Sequence, residues 1–284
     1  MDDLASPGPK VEQGETSELS VPARLFALKD GDTFVVADSY GDILGVADGL
    51  FRDDTRVLSY FRLLLGARSP SLLSAAIAQD NVFFTANGTN LQLAPTGAAV
   101  TPKGVIHVER KRFLWAGRLH ERVRCTNYSQ GQAIAPLAFE FGADFHDMFE
   151  VRGSQRSRRG FVHPPEAAGR SVVFRYDGLD GVSRSSAIVF SETPARLSAN
   201  RAEFLFRIPP EGSVDLFLEV GEDEAGFSPE TPGRDRFRAC AARARFAMRA
   251  KRRHGAREAL IHSTCQAVMM ASRPNWVENQ GMPA

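Results

Sequence analysis

The sequence predicts a mainly β protein: an antiparallel β-sandwich of the supersandwich type, followed by a C-terminal linker helix. Apolar and polar residues alternate with a period of two in many short segments up to about residue 220, which is typical of strands with one buried face. Turn residues separate these segments without intervening amphipathic helices, which favours antiparallel pairing over a doubly wound sheet. After Pro229 the pattern changes, because the stretch from Arg234 to Arg253 contains good helix formers and no Gly or Pro.

Individual strands are predicted from this alternation and from the turns between them. In the segment 118–128, apolar residues alternate with His120, Arg122 and Arg124, so we expect one face to be buried and the other to be solvated. The long apolar run from Arg56 to Leu65 is expected to form one buried strand. The predicted strands include residues 19–30, 32–38, 56–65, 105–115 and 118–128, with further runs around Phe139, Phe174, Phe204 and Leu216.

The predicted helix combines an apolar stripe with a strongly basic surface. Phe237, Ala241, Ala244 and Met248 recur at helical spacing and are expected to pack on the sandwich. The same stretch holds nine Lys or Arg against one acid, Asp235, and we expect its arginines to point outward. A basic helix could bind nucleic acid, but this one carries few aromatics and the rest of the domain offsets its charge.

Composition and spacing exclude several classes of partner. The 284 residues carry a formal net charge of +1, which gives no strong attraction to nucleic acid or to a membrane. No segment approaches the roughly 18 apolar residues of a membrane helix. Three widely spaced cysteines predict neither a disulfide framework nor a zinc site, and we expect a cytoplasmic location. The chain has no Gly-rich phosphate loop and its histidines show no metal-ligand spacing, so we expect neither a cofactor nor a metal.

The predicted organisation has four parts. They are a disordered leader (1–19), the β-sandwich (20–228), the linker helix (229–258) and an irregular tail (259–284).

The densest cluster of candidate site residues runs from Phe141 to Gly153. Its acids, Asp144, Asp147 and Glu150, are spaced three apart and would share one face of a helical turn. Hydrolysis of a glycosidic bond needs two carboxylates, one held protonated and one ionised, so the cluster could supply them in principle. The structural alternative is an ordered loop whose acids bond backbone amides or arginines.

Three further residues of this cluster extend both interpretations. Phe145 and Phe149 offer aromatic rings beside the acids, a combination that commonly contacts sugars. Arg152 is expected to pair with one of the acids if the segment is structural. We predict a supporting or sugar-contacting role for the cluster and assign no catalytic residue.

Two other clusters are predicted to be turns. Asp53 and Asp54 directly precede a strand and can bond backbone amides or Arg56, so they are candidates for the same structural or sugar-contact role. The two Asp-Gly pairs of the segment Tyr176–Gly181 are a strong turn signal.

Seven sequence blocks, taken in order, carry a resemblance to a known family. They are Asp32–Phe34, Tyr40–Asp42, Gly49–Ser59, Leu119–Arg122, Asn127–Ser129, Ala143–Gly153 and Tyr176–Gly181. Together they resemble the N-terminal domain of bacterial amylo-α-1,6-glucosidases, the glycogen-debranching-enzyme family, over about residues 25–254. The segment Asp144–Gly153 is the most specific of these matches.

The resemblance implies a β-sandwich that a helical linker joins to a catalytic (α/α)₆ barrel acting on α-1,6-linked glucose branches. In that family the barrel carries the catalytic carboxylates, and no position of this chain matches them. We therefore expect a chain truncated or frameshifted after about residue 259 and inactive alone, although the family is one of glycoside hydrolases.

The implied role is a non-catalytic domain that supports or contacts α-glucan, with a missing or separately encoded catalytic domain as its partner. Two alternatives stay open. One is a free-standing carbohydrate-binding β-sandwich, and the other is a structural or nucleic-acid-binding protein that uses the basic helix. Neither nucleic acid nor a membrane is the expected partner.

Overall fold

A computed structural model describes residues 24–95, 101–222 and 232–254. The predicted leader (1–19) and tail (259–284) lie outside the described residues.

The strands are β1 (Phe26–Asp30), β2 (Thr33–Ala37), β3 (Gly49–Arg52), β4 (Thr55–Leu58), β5 (Tyr60–Leu65), β6 (Ser71–Ile77), β7 (Phe84–Thr89), β8 (Ile106–Trp115), β9 (Arg118–Asn127), β10 (Ala133–Gly142), β11 (Phe161–Val162), β12 (Glu166–Ala168), β13 (Ser171–Asp177), β14 (Ser183–Phe190), β15 (Arg196–Leu197), β16 (Arg201–Ile208) and β17 (Ser213–Gly221). The helices are α1 (Met148–Val151) and α2 (Arg234–His254).

These strands form three antiparallel sheets, which confirms the predicted fold class. The large sheet has nine strands in the order β11-β13-β14-β17-β9-β8-β7-β6, with β12 also paired to β13. Two smaller sheets have four strands each, in the orders β1-β2-β3-β4 and β15-β16-β10-β5. The predicted hairpin of β8 and β9 is present, and its two turn residues, Ala116 and Gly117, have φ values of 52° and 70°.

The main core lies between the large sheet and the two smaller sheets. It contains buried residues from all three sheets, among them Phe139, Phe190 and Phe204, whose rings contact one another. Period-two alternation along the strands places these side chains on one face, so the sandwich follows from the sequence pattern.

The predicted single strand from Arg56 to Leu65 is wrong. The chain passes from β4 in one small sheet to β5 in the other, and Ser59 lies between them. The backbone N–H and the hydroxyl of Ser59 both donate to the Gly142 carbonyl, at 2.8 and 3.2 Å. These two bonds to the end of β10 fix the position of Ser59, where the chain changes from one sheet to the other.

The outer face of β9 is only partly solvated, which corrects the prediction for this strand, because α2 packs against this part of the large sheet. Phe113, Phe217 and Phe237 form a second apolar cluster there, and the Phe113 ring contacts the Phe237 ring with centroids 5.0 Å apart. His120 is also buried and stacks on Phe113 at 4.9 Å. Alternation within a strand cannot reveal that a helix covers its polar face.

Ion pairs attach α2 to the same face. Arg236 donates to both Glu219 oxygens, at 2.6 and 3.0 Å, and Arg234 donates to Asp215 at 3.1 Å. The helix itself and its apolar stripe are confirmed. The expectation that its arginines point outward holds for Arg243 and Arg249, which are exposed, but Arg236 is half-buried against the sheet. The helix therefore joins the sandwich through both apolar and charged contacts.

A buried ion network, which consists of Asp42, Arg110, Arg112 and Glu121, lies in the main core. Arg110 on β8 pairs with Asp42, and its Nε donates to Glu121 on β9 at 2.7 Å. Arg112 lies 2.7 Å from the other Glu121 oxygen. The Asp42 carboxylate also accepts a bond from the backbone N–H of Leu63, in β5, at 3.1 Å. One carboxylate therefore contacts two different sheets.

None of the helices in the described part of the chain is long and apolar enough to cross a membrane.

We predict that Phe237→Ala lowers the free energy of unfolding by about 3 kcal/mol, because the buried ring leaves a cavity between α2 and the sheet. Thermal or urea denaturation measures the change. Phe246→Ala is the matched control, since Phe246 is on the same helix and 76% exposed. An unchanged stability for Phe237→Ala would show that α2 does not pack as described.

We also predict that Glu219 makes the free energy of unfolding depend on pH in the acid range. Burial raises the pKa of Glu219, but the interactions with His120 and Arg236 outweigh burial and lower this pKa to about 2. The unfolded-state pKa is about 4.3, so the ionised group stabilises the fold above that pH, and the contribution is lost as the pH falls toward about 2.

Urea titrations between pH 5 and pH 2.5 (roughly the window set by these two values) test this. Glu219→Gln should be less stable than the wild type at neutral pH and lose less stability on acidification. Glu192→Gln, at an exposed carboxylate, should follow the wild type. Parallel losses in wild type and Glu219→Gln contradict the prediction.

Candidate functional site

A cavity of about 150 Å³ opens beside α1 at one end of the sandwich. We call it the α1 cavity. Its wall comprises Thr55, the loop residues Phe145, Asp147, Glu150, Arg156, Arg158 and Arg159, and the residues Tyr176, Gly178, Leu179, Asp180 and Arg184 around the β13–β14 turn. Three of the blocks that carry the family resemblance, Gly49–Ser59, Ala143–Gly153 and Tyr176–Gly181, therefore meet around one cavity.

Local sequence explains why a short helix forms here. Asp147 accepts hydrogen bonds from the backbone N–H groups of Phe149 and Glu150, at 2.8 and 2.9 Å, and the Glu150 side chain accepts one from the N–H of Asp147 at 3.0 Å. This reciprocal capping box begins α1. Asp144 lies before the helix, so the prediction that all three acids share one helical face is wrong.

Each of the three acids has arginine or amide partners, as the structural interpretation predicts. Asp144 pairs with Arg56, Asp147 with Arg156, and Glu150 with Arg159, whose Nε lies 2.9 Å from the carboxylate.

Arg152 does not pair with these acids, which corrects the expectation for that residue. Its side chain is exposed and forms no ion pair within the described residues, while its backbone N–H ends α1 by bonding Met148 and Phe149 carbonyls. Arg156 and Arg159, which we did not predict, take this role. The cluster of arginines that follows Gly153 was the sequence feature that could have predicted their role.

Arg56 is the most constrained cation at this end of the protein. Its side chain is buried, and it donates to the carbonyls of Gly45, Val46 and Asp48 at 3.2–3.3 Å. It also contacts both carboxylate oxygens of Asp144, with Nε 3.2 Å from Oδ1. The planar fork of arginine suits such a bidentate pair, whereas lysine cannot reproduce it.

Asp53 and Asp54 form the turn between β3 and β4, as predicted, with positive φ values of 46° and 60°. They do not bond Arg56, which corrects that alternative. The backbone carbonyl of Asp54 accepts a bond from Met148 at 3.0 Å, so the turn supports the start of α1.

The two aromatic candidates lie in different surroundings. Phe145 is buried, and its ring stacks on Tyr176 with centroids 5.6 Å apart. Its φ of 52° is unfavourable for a phenylalanine, so the packing around its ring must hold the backbone of the loop in this conformation. Phe149, on α1, is 66% exposed and is not part of the cavity wall. Sugar contact by either ring stays a prediction.

The segment Tyr176–Gly181 forms the turn between β13 and β14. The Gly178 N–H donates to the Val182 carbonyl at 3.0 Å, and Gly181 has a φ of 75°. A hydrogen bond from Arg184 lowers the pKa of Asp180 to about 2. This turn therefore presents an ionised carboxylate and a guanidinium at the cavity.

The arrangement combines groups that can exchange hydrogen bonds with hydroxyls. Its carboxylates already accept bonds from guanidinium or backbone amide groups, which fix their positions in the wall. Within the described residues, no three His, Cys, Asp or Glu side chains lie close enough together to hold a metal ion.

Comparison with known proteins identifies one family. Residues 28–219 match the family model of the N-terminal domain of (some) glycogen debranching enzymes. Comparison with curated proteins gives no match.

Comparison with solved structures gives matches that include "Putative kojibiose phosphorylase from human microbiome", at a TM-score of 0.41 and 9% identity over 76% of this chain. This chain spans 26% of that protein. The Slr1438 protein from Synechocystis sp. PCC 6803 has a TM-score of 0.45 and 9% identity, over 78% of this chain and 99% of that one.

We predict that Arg56 and Asp144 are strongly coupled. A double-mutant cycle of Arg56→Lys and Asp144→Asn, measured by urea denaturation, should give a coupling energy of about 2 kcal/mol, because the Arg56 side chain is only 5% exposed. The control cycle uses Arg52 and Asp53, an exposed pair 3.6 Å apart, and should give less than about 1 kcal/mol. Equal coupling in both cycles contradicts the prediction.

Proposed function

The chain belongs to the family of N-terminal domains of (some) glycogen debranching enzymes, and we propose from this premise that it is a non-catalytic domain that contacts α-glucan. A catalytic (α/α)₆ domain, as its partner, would perform the hydrolysis. We propose a cytoplasmic location, which the widely spaced cysteines favour.

The observation that carries the proposal is the meeting of three family blocks around the α1 cavity. More than a hundred positions separate the first of these blocks from the last, yet each contributes side chains to the same wall. A cavity with a few convergent polar groups is the usual form of a small-molecule site.

The side chains around the cavity suit a sugar chain. Arg156 and Arg184 carry donors, while Asp147 and Asp180 carry acceptors, so sugar hydroxyls can bond to either kind of group. The exposed ring of Phe149 is on α1 but outside the cavity wall, and it offers an apolar surface on which the face of a pyranose ring can pack. This combination supports binding of a neutral, hydroxyl-rich ligand.

Hydrolysis by this chain alone is disfavoured for a chemical reason. An inverting enzyme needs a protonated acid and a base about 6.5–9.5 Å apart with a water between them. Each of the loop carboxylates is already held by an arginine, and Asp147 also accepts bonds from backbone amides. They therefore suit positioning and binding better than proton donation.

We predict that the purified chain binds maltoheptaose or branched limit dextrin in calorimetric titrations. Phe149→Ala should raise the Kd by roughly fivefold, since one exposed ring contributes on the order of 1 kcal/mol. Phe246→Ala is the matched control, because this ring is also exposed but lies on α2.

The same preparations should release no glucose from limit dextrin above a heat-killed control. Failure to bind either glucan would refute the proposed contact. Glucose release that disappears in Glu150→Ala would instead identify a complete enzyme.

A further inference from the structure

A second, strongly basic cavity of about 240 Å³ lies between α2 and the outer face of the large sheet. We call it the α2 groove. Strands β8, β9 and β17 form its floor, with Phe83, Phe217 and Phe237 as apolar wall. Its six cationic side chains are Lys111, Arg122, Arg124, Arg234, Arg238 and Arg245. None of these residues lines the α1 cavity.

The carboxylates around the groove neutralise only part of this charge. Asp215 binds Arg124 through two bonds of 2.7 and 2.8 Å, and it also accepts a bond from Arg234. Glu109 pairs with Arg122. With Asp80, which pairs with Arg245 at 3.2 Å, three acids face six cations. The groove therefore carries an excess of positive charge among the residues that the structure describes.

Two of the cations stand out because they lack a carboxylate partner. Neither Lys111 nor Arg238 forms an ion pair within the described ranges. Lys111 Nζ lies 4.6 Å from the centroid of the Phe83 ring, and Arg245 lies at the same distance from that ring. Lys111 and Arg245 therefore both contact the same aromatic side chain.

The positive charges in the groove also destabilise one another. Burial lowers the pKa of Lys111, and the charges of Arg122 and Arg245 lower it further, although Glu109 acts in the opposite direction. The Nε of Arg122 is buried and has no hydrogen-bond acceptor. An anion between these groups would supply acceptors and relieve the repulsion between cations.

We propose that the α2 groove binds the phosphate group of a small phosphate monoester, with Lys111, Arg122 and Arg238 as its main contacts. A phosphate dianion offers several acceptor oxygens and matches the excess of positive charge. Guanidinium groups bind phosphate oxygens through paired donors, and Lys111 adds a point charge. The groove is small, which favours a phosphorylated monosaccharide over a polymer.

Calorimetric titration of the full chain tests this site at constant ionic strength. Inorganic phosphate and glucose 1-phosphate are the probes, and potassium chloride is the ionic control. We expect saturable binding of both phosphates and none of chloride. Lys111→Gln and Arg238→Gln should each raise the Kd about fivefold to tenfold. Arg243→Gln, at an exposed arginine on the same helix but outside the groove, should bind like the wild type.

Three outcomes would overturn the proposal. They are no saturable binding of phosphate, equal affinity in the wild type and both groove variants, and tighter binding of a single-stranded oligonucleotide with a steep salt dependence. Thermal denaturation confirms that each variant is folded, and Arg238→Gln alone is decisive if Lys111→Gln unfolds, because Arg238 is exposed. Glucan binding at the α1 cavity is measured separately, so the two proposals fail independently.

Discussion

The buried ion network of Asp42, Arg110, Arg112 and Glu121 connects the large sheet to one of the two smaller sheets. Asp42 bonds the backbone of β5, while its partner Arg110 belongs to β8 in the large sheet and approaches the Phe61 ring at 5.8 Å. The attraction between such buried charges and the cost of removing them from water nearly cancel, so a network of this kind adds little net stability. Removing one member alone would leave an uncompensated charge in the core. We expect the relative position of these two sheets to depend on this set of charges.

The pair of Arg56 and Asp144 applies the same constraint at the α1 cavity. The two residues are 88 positions apart in sequence, and their contact joins the end of the β3–β4 hairpin to the loop after β10. Phe145 is then held at positive φ against Tyr176, which belongs to the third family block. Charged pairing and ring stacking therefore convert three separate sequence blocks into one wall. The α2 groove differs from this wall, because three carboxylates pair with only part of its six cations.

Much of the fold could be predicted because strand alternation is a local property. The β8–β9 hairpin and α2 were both recognisable from short segments. The break at Ser59 was not, because it depends on a bond to Gly142 in a distant strand. For the same reason the sequence indicated that Arg56 and Asp144 mattered, but not that they bind each other. Arg156, Arg159 and the groove residue Lys111 were missed, since their importance arises only when α1 and α2 are in place.

The strand order has a consequence for synthesis on the ribosome. β17 is the last strand among the described residues, yet it lies between β14 and β9 and is the link between the two halves of the large sheet. Until Gly221 has left the exit tunnel, β9 and β14 both present an unpaired edge, and such edges readily pair with other chains. At about 5–20 residues per second, that interval lasts several seconds after β9 is made. Chaperone binding during translation would protect these edges until the final strand closes the sheet.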